Sequence, residues 1–299
     1  MSKIFVDQVD PKTATTLTLG TTGDTVTTPV GVVTSLDGAV TVNDSSNDVD
    51  FRVESDGNAN MLTVNGGSNI VGVAADPDLG VGLHIKSADS GASVSVHADE
   101  LVIEGSANSG MTILSGTSSN GRIMFGDSGD NDIGYIEYDH SSNQLALGAN
   151  AASHIKIDSA GAVTKPNQPA FSAHVTSIVD PGSTSDYTVP YATEIFDNNA
   201  DYNTTNYTFT APVTGRYLFS TRVQGYDVAT SFDLAHSVVT SNRTYHGGCG
   251  RFYDTDGYNS VIVAFADMDA SDTAITVVNS NESSFYISSY SYFNGQLVC

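Results

Sequence analysis

The feature that most constrains the fold of this chain is a two-residue alternation of apolar side chains between residues 207 and 219. The alternation is interrupted once by a proline and a glycine: Tyr207, Phe209 and Ala211, then Pro212 and Gly215, then Tyr217 and Phe219. Because successive side chains of a strand point to opposite faces, this pattern predicts strand, tight corner and strand in an antiparallel motif. Sandwiches, barrels and solenoids all use such alternation, so it indicates an all-β class and no function.

The residue identities in this stretch resemble a known motif. The globular head domain of complement component 1q, a jelly-roll family, carries Phe-Thr-Ala-Pro, a short corner, and Gly-x-Tyr-x-Phe, which match Phe209, Thr210, Ala211, Pro212, Gly215, Tyr217 and Phe219. Two flanking segments fit the same family: Phe196-Asp197-Asn198-Asn199, and a closing Ser-x-Phe-x-Gly-x-Leu that contains Phe293 and Gly295. The resemblance implies that residues 166–299 form a ten-stranded jelly-roll head of the complement component 1q and tumour necrosis factor type. No collagen-like Gly-X-Y run precedes this region, so any trimerising stalk must be of another kind.

Residues 46–165 consist of strand-sized apolar pieces about ten residues apart, separated by glycine-bearing turns. The pieces are 51–54, 61–64, 83–86, 94–97, 101–104, 123–125, 135–138, 145–147 and 155–158. They hold few large aromatics and follow no strict period, so they cannot build a thick core alone. This composition predicts a β-rich shaft and neck whose strands are completed by neighbouring copies, as in a homotrimer.

Three phrases of this region resemble the shaft and neck repeats of tailed-bacteriophage tail fibres, particularly those of marine phages: 50–64, 126–140 and 155–161. Pro166 and Pro169 follow and predict a domain boundary near residue 165. Because these prolines lead into the head and not into a self-cleaving chaperone, we predict no autoproteolysis.

Residues 1–45 carry isolated apolar pairs among threonines and glycines, too few to bury a core. Their opening resembles the N-terminal adaptor of phage fibres. The resemblance implies a virion-attachment arm that orders when it binds a phage tail or adaptor protein. A disordered leader is the alternative.

The charge balance excludes one class of partner. Lys+Arg is 11 against Asp+Glu of 34, a formal net charge of −23, so binding to nucleic acid through counterion release is not expected. No apolar run reaches membrane-spanning length and no signal core is present, so we predict no membrane insertion and synthesis in the host cytoplasm. Cys249 and Cys299 are compatible with two free thiols or one bridge.

No catalytic constellation stands out. The seven histidines lack metal-site spacing and are expected on exposed strands, and Gly247-Gly248-Cys249-Gly250 is expected to be a flexible turn. Cys249 beside His246 lacks the rigid setting of a nucleophile and its base. We therefore predict no enzymatic activity, no catalytic or metal-binding residue and no cofactor, and leave open an axial divalent cation such as calcium.

The segment 241–259 is the candidate recognition loop of the head. It combines aromatic, cationic and acidic residues: Arg243, Tyr245, His246, Arg251, Tyr253, Asp256 and Tyr258. Tyrosine and arginine are favoured at recognition surfaces because they give contact area and bidentate hydrogen bonds at small entropic cost. The alternative is that half of the aromatics fill the sandwich or the seam between subunits.

The resemblances together imply a tail fibre of a tailed bacteriophage, located in the virion. Its N-terminal arm would attach to the particle, and its trimeric head would bind a bacterial surface glycan or protein. A tailspike glycan depolymerase and a structural or adhesive head or collar fibre are the alternatives.

Overall fold

A computed structural model of the chain describes residues 51–182, 184–226, 232–252, 257–280 and 285–299. The predicted arm, Tyr253 and Asp256 therefore lie outside the described residues. Within those ranges the regular structure is β-strand, which confirms the all-β class, and no helix there could span a membrane. The described residues fall into two compact units that meet in sequence between Thr112 and Ile113.

The first unit contains one five-stranded sheet in chain order: β1 Phe51–Val53, β2 Leu62–Asn65, β3 Ile70–Val73, β4 Leu83–Lys86 and β5 Leu101–Glu104. Strands β1 to β3 are antiparallel, whereas β3, β4 and β5 are parallel. Four of these strands were predicted and β3 was missed. The predicted strand at 94–97 is wrong, because these residues belong to the long connection that a parallel β4–β5 pair requires.

The second unit begins with an antiparallel five-stranded sheet, again in chain order: β6 Asn120–Phe125, β7 Gly134–Asp139, β8 Gln144–Ala149, β9 Ala152–Ile157 and β10 Val163–Thr164. The strands predicted at 123–125, 135–138 and 145–147 are confirmed, and the one predicted at 155–158 is confirmed as far as Ile157. Asn143 and Asn150 adopt positive φ angles of 51° and 50° in its turns, a conformation that asparagine tolerates.

The head follows as a two-sheet sandwich of twelve strands: β11 Ala170–His174, β12 Thr184–Thr188, β13 Thr193–Asp197, β14 Tyr202–Asn203, β15 Thr208–Thr210, β16 Gly215–Tyr226, β17 Phe232–Thr240, β18 Thr244–Phe252, β19 Tyr258–Met268, β20 Thr273–Ser280, β21 Tyr286–Ile287 and β22 Tyr292–Leu297. One sheet runs β13-β11-β22-β16-β19 and the other β14-β15-β20-β17-β18, with β21 on β16 and β12 on β20. These ten principal strands form the expected jelly roll, with its first and last strands side by side.

The motif residues of the head lie where its two sheets meet. Phe209, Tyr217, Phe219 and Phe293 are fully buried, whereas Pro212 is exposed at the corner. This corner carries the chain from one sheet to the other, so β15 pairs with β14 and β20 while β16 pairs with β19 and β22. The expectation that the two strands form one antiparallel motif is therefore wrong, although the corner itself is confirmed.

Two motif glycines allow close packing. A Cβ atom on Gly295 would lie 2.4 Å from Phe171 Cε1 and 2.8 Å from Phe219 Cδ1. One on Gly215 would lie 2.7 Å from Leu297 Cδ1. All three distances to ring or methyl carbons are below van der Waals contact, so the head packs this closely at Gly295 and Gly215 only because these positions lack side chains.

Candidate functional site

The most unusual surface of the first unit is one face of its sheet. The strand register places ten residues there in two rows across the five strands: Phe51, Val64, Val71, Leu83 and Leu101, and Val53, Leu62, Val73, Ile85 and Ile103. All ten are apolar, seven are exposed and three are half-buried. We call this surface the first apolar face.

The opposite face of the same sheet is mostly polar, with Ile70 and Val102 as its apolar members, yet it is the buried one. Thr63 and His84 have no exposed surface, and Lys86 and Glu104 are 8% and 6% exposed. A single soluble chain normally buries its apolar face and leaves its polar face in water. The inverted arrangement therefore marks the first apolar face as an interaction surface.

The sheet β6–β10 repeats this pattern. Its register aligns nine large apolar or aromatic residues on one face: Ile123, Phe125, Ile136, Tyr138, Leu145, Leu147, Ile155, Ile157 and Val163. Six of the nine are exposed. The reverse face carries the Arg122–Glu137 ion pair. We call the aligned set the second apolar face.

A third exposed apolar row lies at the edge of the head. Along β19, buried and exposed residues alternate strictly. The exposed members Val261, Val263 and Phe265 are 52%, 65% and 61% accessible. They point away from the head's own core, so they add a shorter apolar row to the surfaces available for association.

The buried polar face of the first sheet contains a cluster of four ionisable side chains. The backbone N–H of Asp78 donates to His84 Nδ1 at 3.4 Å, and His84 Nε2 lies 3.0 Å from Glu104 Oε2. The other carboxylate oxygen of Glu104 accepts from the backbone and the hydroxyl of Ser90, at 2.7 and 2.8 Å. These Ser90 hydrogen bonds and the nearby Lys86 lower the pKa of Glu104 to about 2.

This cluster was not expected from the sequence, and it offers ligand atoms of a kind that metals use. Atoms of Asp78, His84 and Glu104 lie within 4.8 Å of one another. However, Lys86 Nζ lies 2.6 Å from Asp78 Oδ2 and 3.5 Å from Glu104 Oε2, so its ammonium group stands between the two carboxylates. The hydrogen bond to Asp78 also raises the pKa of Lys86. The cluster thus contains its own cation, the ammonium group of Lys86. Its hydrogen bonds and ion pairs also hold the β3–β4 and β4–β5 connections against the sheet.

The predicted recognition segment is mostly strand. β18 occupies Thr244–Phe252, so the expected loop over 241–259 and the expected flexible turn at Gly247–Gly250 are both wrong. Gly247 has a packing reason, since a Cβ atom there would lie 2.4 Å from Ile262 Cγ1.

The structure brings together part of the predicted recognition set. Arg243 is exposed at the β17–β18 turn, and His246 is exposed with its Nδ1 3.0 Å from Ser237 Oγ. Tyr245 is half-buried against the core. These three residues share one end of a hairpin. For Arg251 the structure describes only its place in β18.

Tyr258 does not belong to this surface. Its side chain is 4% exposed, and its ring centroid lies 6.2 Å from that of Phe285. Because it starts β19 with its side chain facing inward, it fills the sandwich, as the alternative interpretation of the aromatics allowed.

Two histidines also depart from the expectation of exposed strand positions, namely His84 and His236. His236 is 1% exposed inside the head. Its Nδ1 lies 3.0 Å from Ser260 Oγ, and its Nε2 lies 3.5 Å from Thr221 Oγ1. Thr221 in turn lies 2.9 Å from the hydroxyl of Tyr191, so a polar chain crosses the core. Burial lowers the pKa of His236 to about 4.

The stability of the head is expected to depend on pH through His236. Its pKa falls from 6.5 in the unfolded chain to about 4 in the folded head. The unfolded chain therefore takes up the proton first, and stability decreases as pH falls from about 6.5 to about 4, by roughly 3 kcal/mol. Urea unfolding followed by tyrosine fluorescence across this range measures the decrease. His236→Gln should flatten this part of the profile, and an unchanged slope in that variant would contradict the assignment.

Comparison with known proteins gives structural similarity alone. No protein-family profile and no curated protein sequence matches the chain. The globular domain of zebrafish complement 1qA is similar at 16% identity and a TM-score of 0.36, over 44% of this chain and 98% of that one. Eiger TNF from S. frugiperda is similar at 10% identity and a TM-score of 0.33, over 44% and 94%. Murine APRIL at pH 8.0 is similar at 11% identity and a TM-score of 0.34, over 44% and 99%.

Proposed function

We propose that this protein is the homotrimeric tail fibre of a tailed bacteriophage, in which residues 46–165 form the shaft and the jelly-roll head binds the host surface. The N-terminal arm holds the fibre on the virion, and recognition is reversible and non-catalytic. The observation that carries the proposal is the pair of apolar faces, each spread over a whole sheet and open to solvent in the single chain.

Further copies of the same chain are the occupants that these faces favour. The nineteen residues that form the two faces include no charged residue, although the chain as a whole has a net charge of −23. Copies with this charge repel one another everywhere except on uncharged surfaces, so association is directed to the apolar faces. Three single-layer sheets around an axis bury all three apolar faces together, which gives the rod that a shaft requires.

The head differs from the shaft because it closes its own core. Its buried aromatic cluster is complete within one chain, so its outer surface is available for recognition. Three heads on one rod act together through their effective concentration, which allows weak single sites to give firm attachment. Arg243 and His246, exposed at the end of the β17–β18 hairpin, are the described residues best placed to contact a receptor.

Adsorption of virions tests the receptor-binding role. Particles whose fibre lacks residues 170–299 should assemble but fail to attach to the host bacterium. Replacing Arg243 and His246 together by alanine should weaken attachment, while Arg216→Ala, an exposed arginine on the other sheet, should leave it unchanged. Normal adsorption of the truncated particles would exclude receptor binding and favour a structural head or collar fibre. Shortening of envelope polysaccharide by the purified protein would favour a depolymerase.

A further inference from the structure

The segment that joins β5 to β6 has unusual exposure. Residues 106–119 are fourteen consecutive exposed positions without one charged side chain. Three of them are large and apolar: Met111, Ile113 and Leu114 are 58%, 43% and 89% exposed. The other eleven are small or polar, as in a flexible linker, but the exposed apolar side chains of Met111, Ile113 and Leu114 lie within four residues of one another, which points to a partner.

Among the described residues, most of the backbone of this segment also has no hydrogen-bond partner. Between Ser106 and Ser115, no backbone or side-chain hydrogen bond reaches any residue that the structure describes, and the first bond beyond is Ser119 N to Gly116 O at 2.9 Å. Residues 108–116 belong to no turn or strand. Backbone N–H and C=O groups that run beside apolar side chains require pairing once those side chains are covered.

The strands that precede and follow this segment in the chain, β5 and β6, each have an edge whose N–H and C=O groups are not paired with another described strand. β5 ends one sheet and β6 begins the next, and each is paired on one side only among the described strands. An extended segment can add to such an edge as an extra strand, with main-chain hydrogen bonds supplying the affinity.

We propose that residues 108–115 form an intermolecular β-strand on the free edge of β5 or β6 of a second copy of this chain. The inference rests on the proposed homotrimer and deepens it, because it adds main-chain pairing between copies to the burial of the apolar faces. The occupant is a second copy because neither the main chain of this segment nor the outer edges of β5 and β6 are hydrogen-bonded to another described residue, and the proposed trimer brings the copies side by side.

Amide hydrogen exchange on the full-length assembled protein tests this proposal. Alternate amides among residues 108–115 should exchange at least about 100-fold more slowly than in an unstructured peptide, since one edge protects every second N–H. Exchange at the unstructured rate in a protein whose mass corresponds to three copies would overturn this inference and leave the proposed function intact. A mass of one copy would overturn both.

Two matched proline variants add an independent measurement. Thr112→Pro and Ile113→Pro each remove one N–H from the proposed strand. Only one of these two N–H groups faces the strand edge, and the variant that removes it should abolish the protection of the neighbouring amides. Thr117→Pro is the control, because Thr117 is the second residue of the Gly116–Ser119 turn, where proline fits. If neither of the first two variants changes protection, the pairing is excluded.

Discussion

A fibre in which Val73 and Leu83 are both replaced by aspartate is expected to be a folded monomer, with a mass near 31.2 kDa in place of about three times that value. Both residues lie in the centre of the first apolar face, on the adjacent strands β3 and β4. Closing the face against another copy would then remove carboxylates from water without a cationic partner, at a cost of several kcal/mol for each. Light scattering or native mass spectrometry gives the mass directly.

The same change should leave the single chain folded, because Val73 and Leu83 are only half-buried within it and the polar cluster on the other side of the sheet is untouched. Arg52→Asp is the matched control, since it introduces the same side chain on strand β1 of the same sheet, at a position that points to the opposite face. This control should remain trimeric. A double variant whose trimer dissociates at the same dilution as that of the unchanged protein would show that the copies do not meet through the first apolar face.

The sequence predicts most of the strands, because period-two alternation and glycine turns are local properties of the chain. It also predicts the core of the head through the motif residues, whose identities depend on packing. Phe209 and Phe293 are large because they fill the sandwich, and Gly295 is small because the rings of Phe171 and Phe219 leave it no space.

What the sequence does not predict is which side of a strand is covered. Val94 and Val96 alternate with polar residues as a strand does, yet they lie in a crossover connection, because β4 pairs in parallel with β5. His84 and Tyr258 look like exposed residues of a strand and a loop, yet both are buried, His84 under the connections on either side of β4 and Tyr258 against Phe285. Such coverage depends on sheet order, and alternation alone carries no information about sheet order.

The apolar faces are a second case in which the sequence does not predict which side of a sheet is covered. Their alternation is visible in the sequence, but the sequence does not tell whether the chain covers them itself. The structure shows that the chain instead covers the polar side of the first sheet with the connections that contain Asp78 and Ser90. The need for a partner therefore follows from the tertiary arrangement and not from composition.

Phe293→Ala is expected to destabilise the head by about 3–5 kcal/mol, the cost of removing a fully buried aromatic ring from a packed core. The ring of Phe293 is fully buried, and its centroid lies 5.0 Å from that of Phe171 and 5.6 Å from that of Phe219. The neighbours of this ring, Phe171 and Phe219, are themselves large rings packed in the core. No small side chain can therefore move into the space, and the cavity persists. Urea unfolding followed by tyrosine fluorescence should show an earlier head transition.

The matched control for this variant is Tyr290→Ala. Tyr290 is an aromatic residue of the same C-terminal segment but is 72% exposed, so its loss should cost no more than about 0.5 kcal/mol. Equal destabilisation by the two substitutions would contradict the assignment of Phe293 to the core.

The position of Phe293 in the fold also predicts how the head unfolds, because Phe293 lies on β22, which pairs with the first strand β11 of the head. A cavity at this position weakens the junction that closes the jelly roll, so the head should unfold in one transition and not lose its C-terminal strand alone.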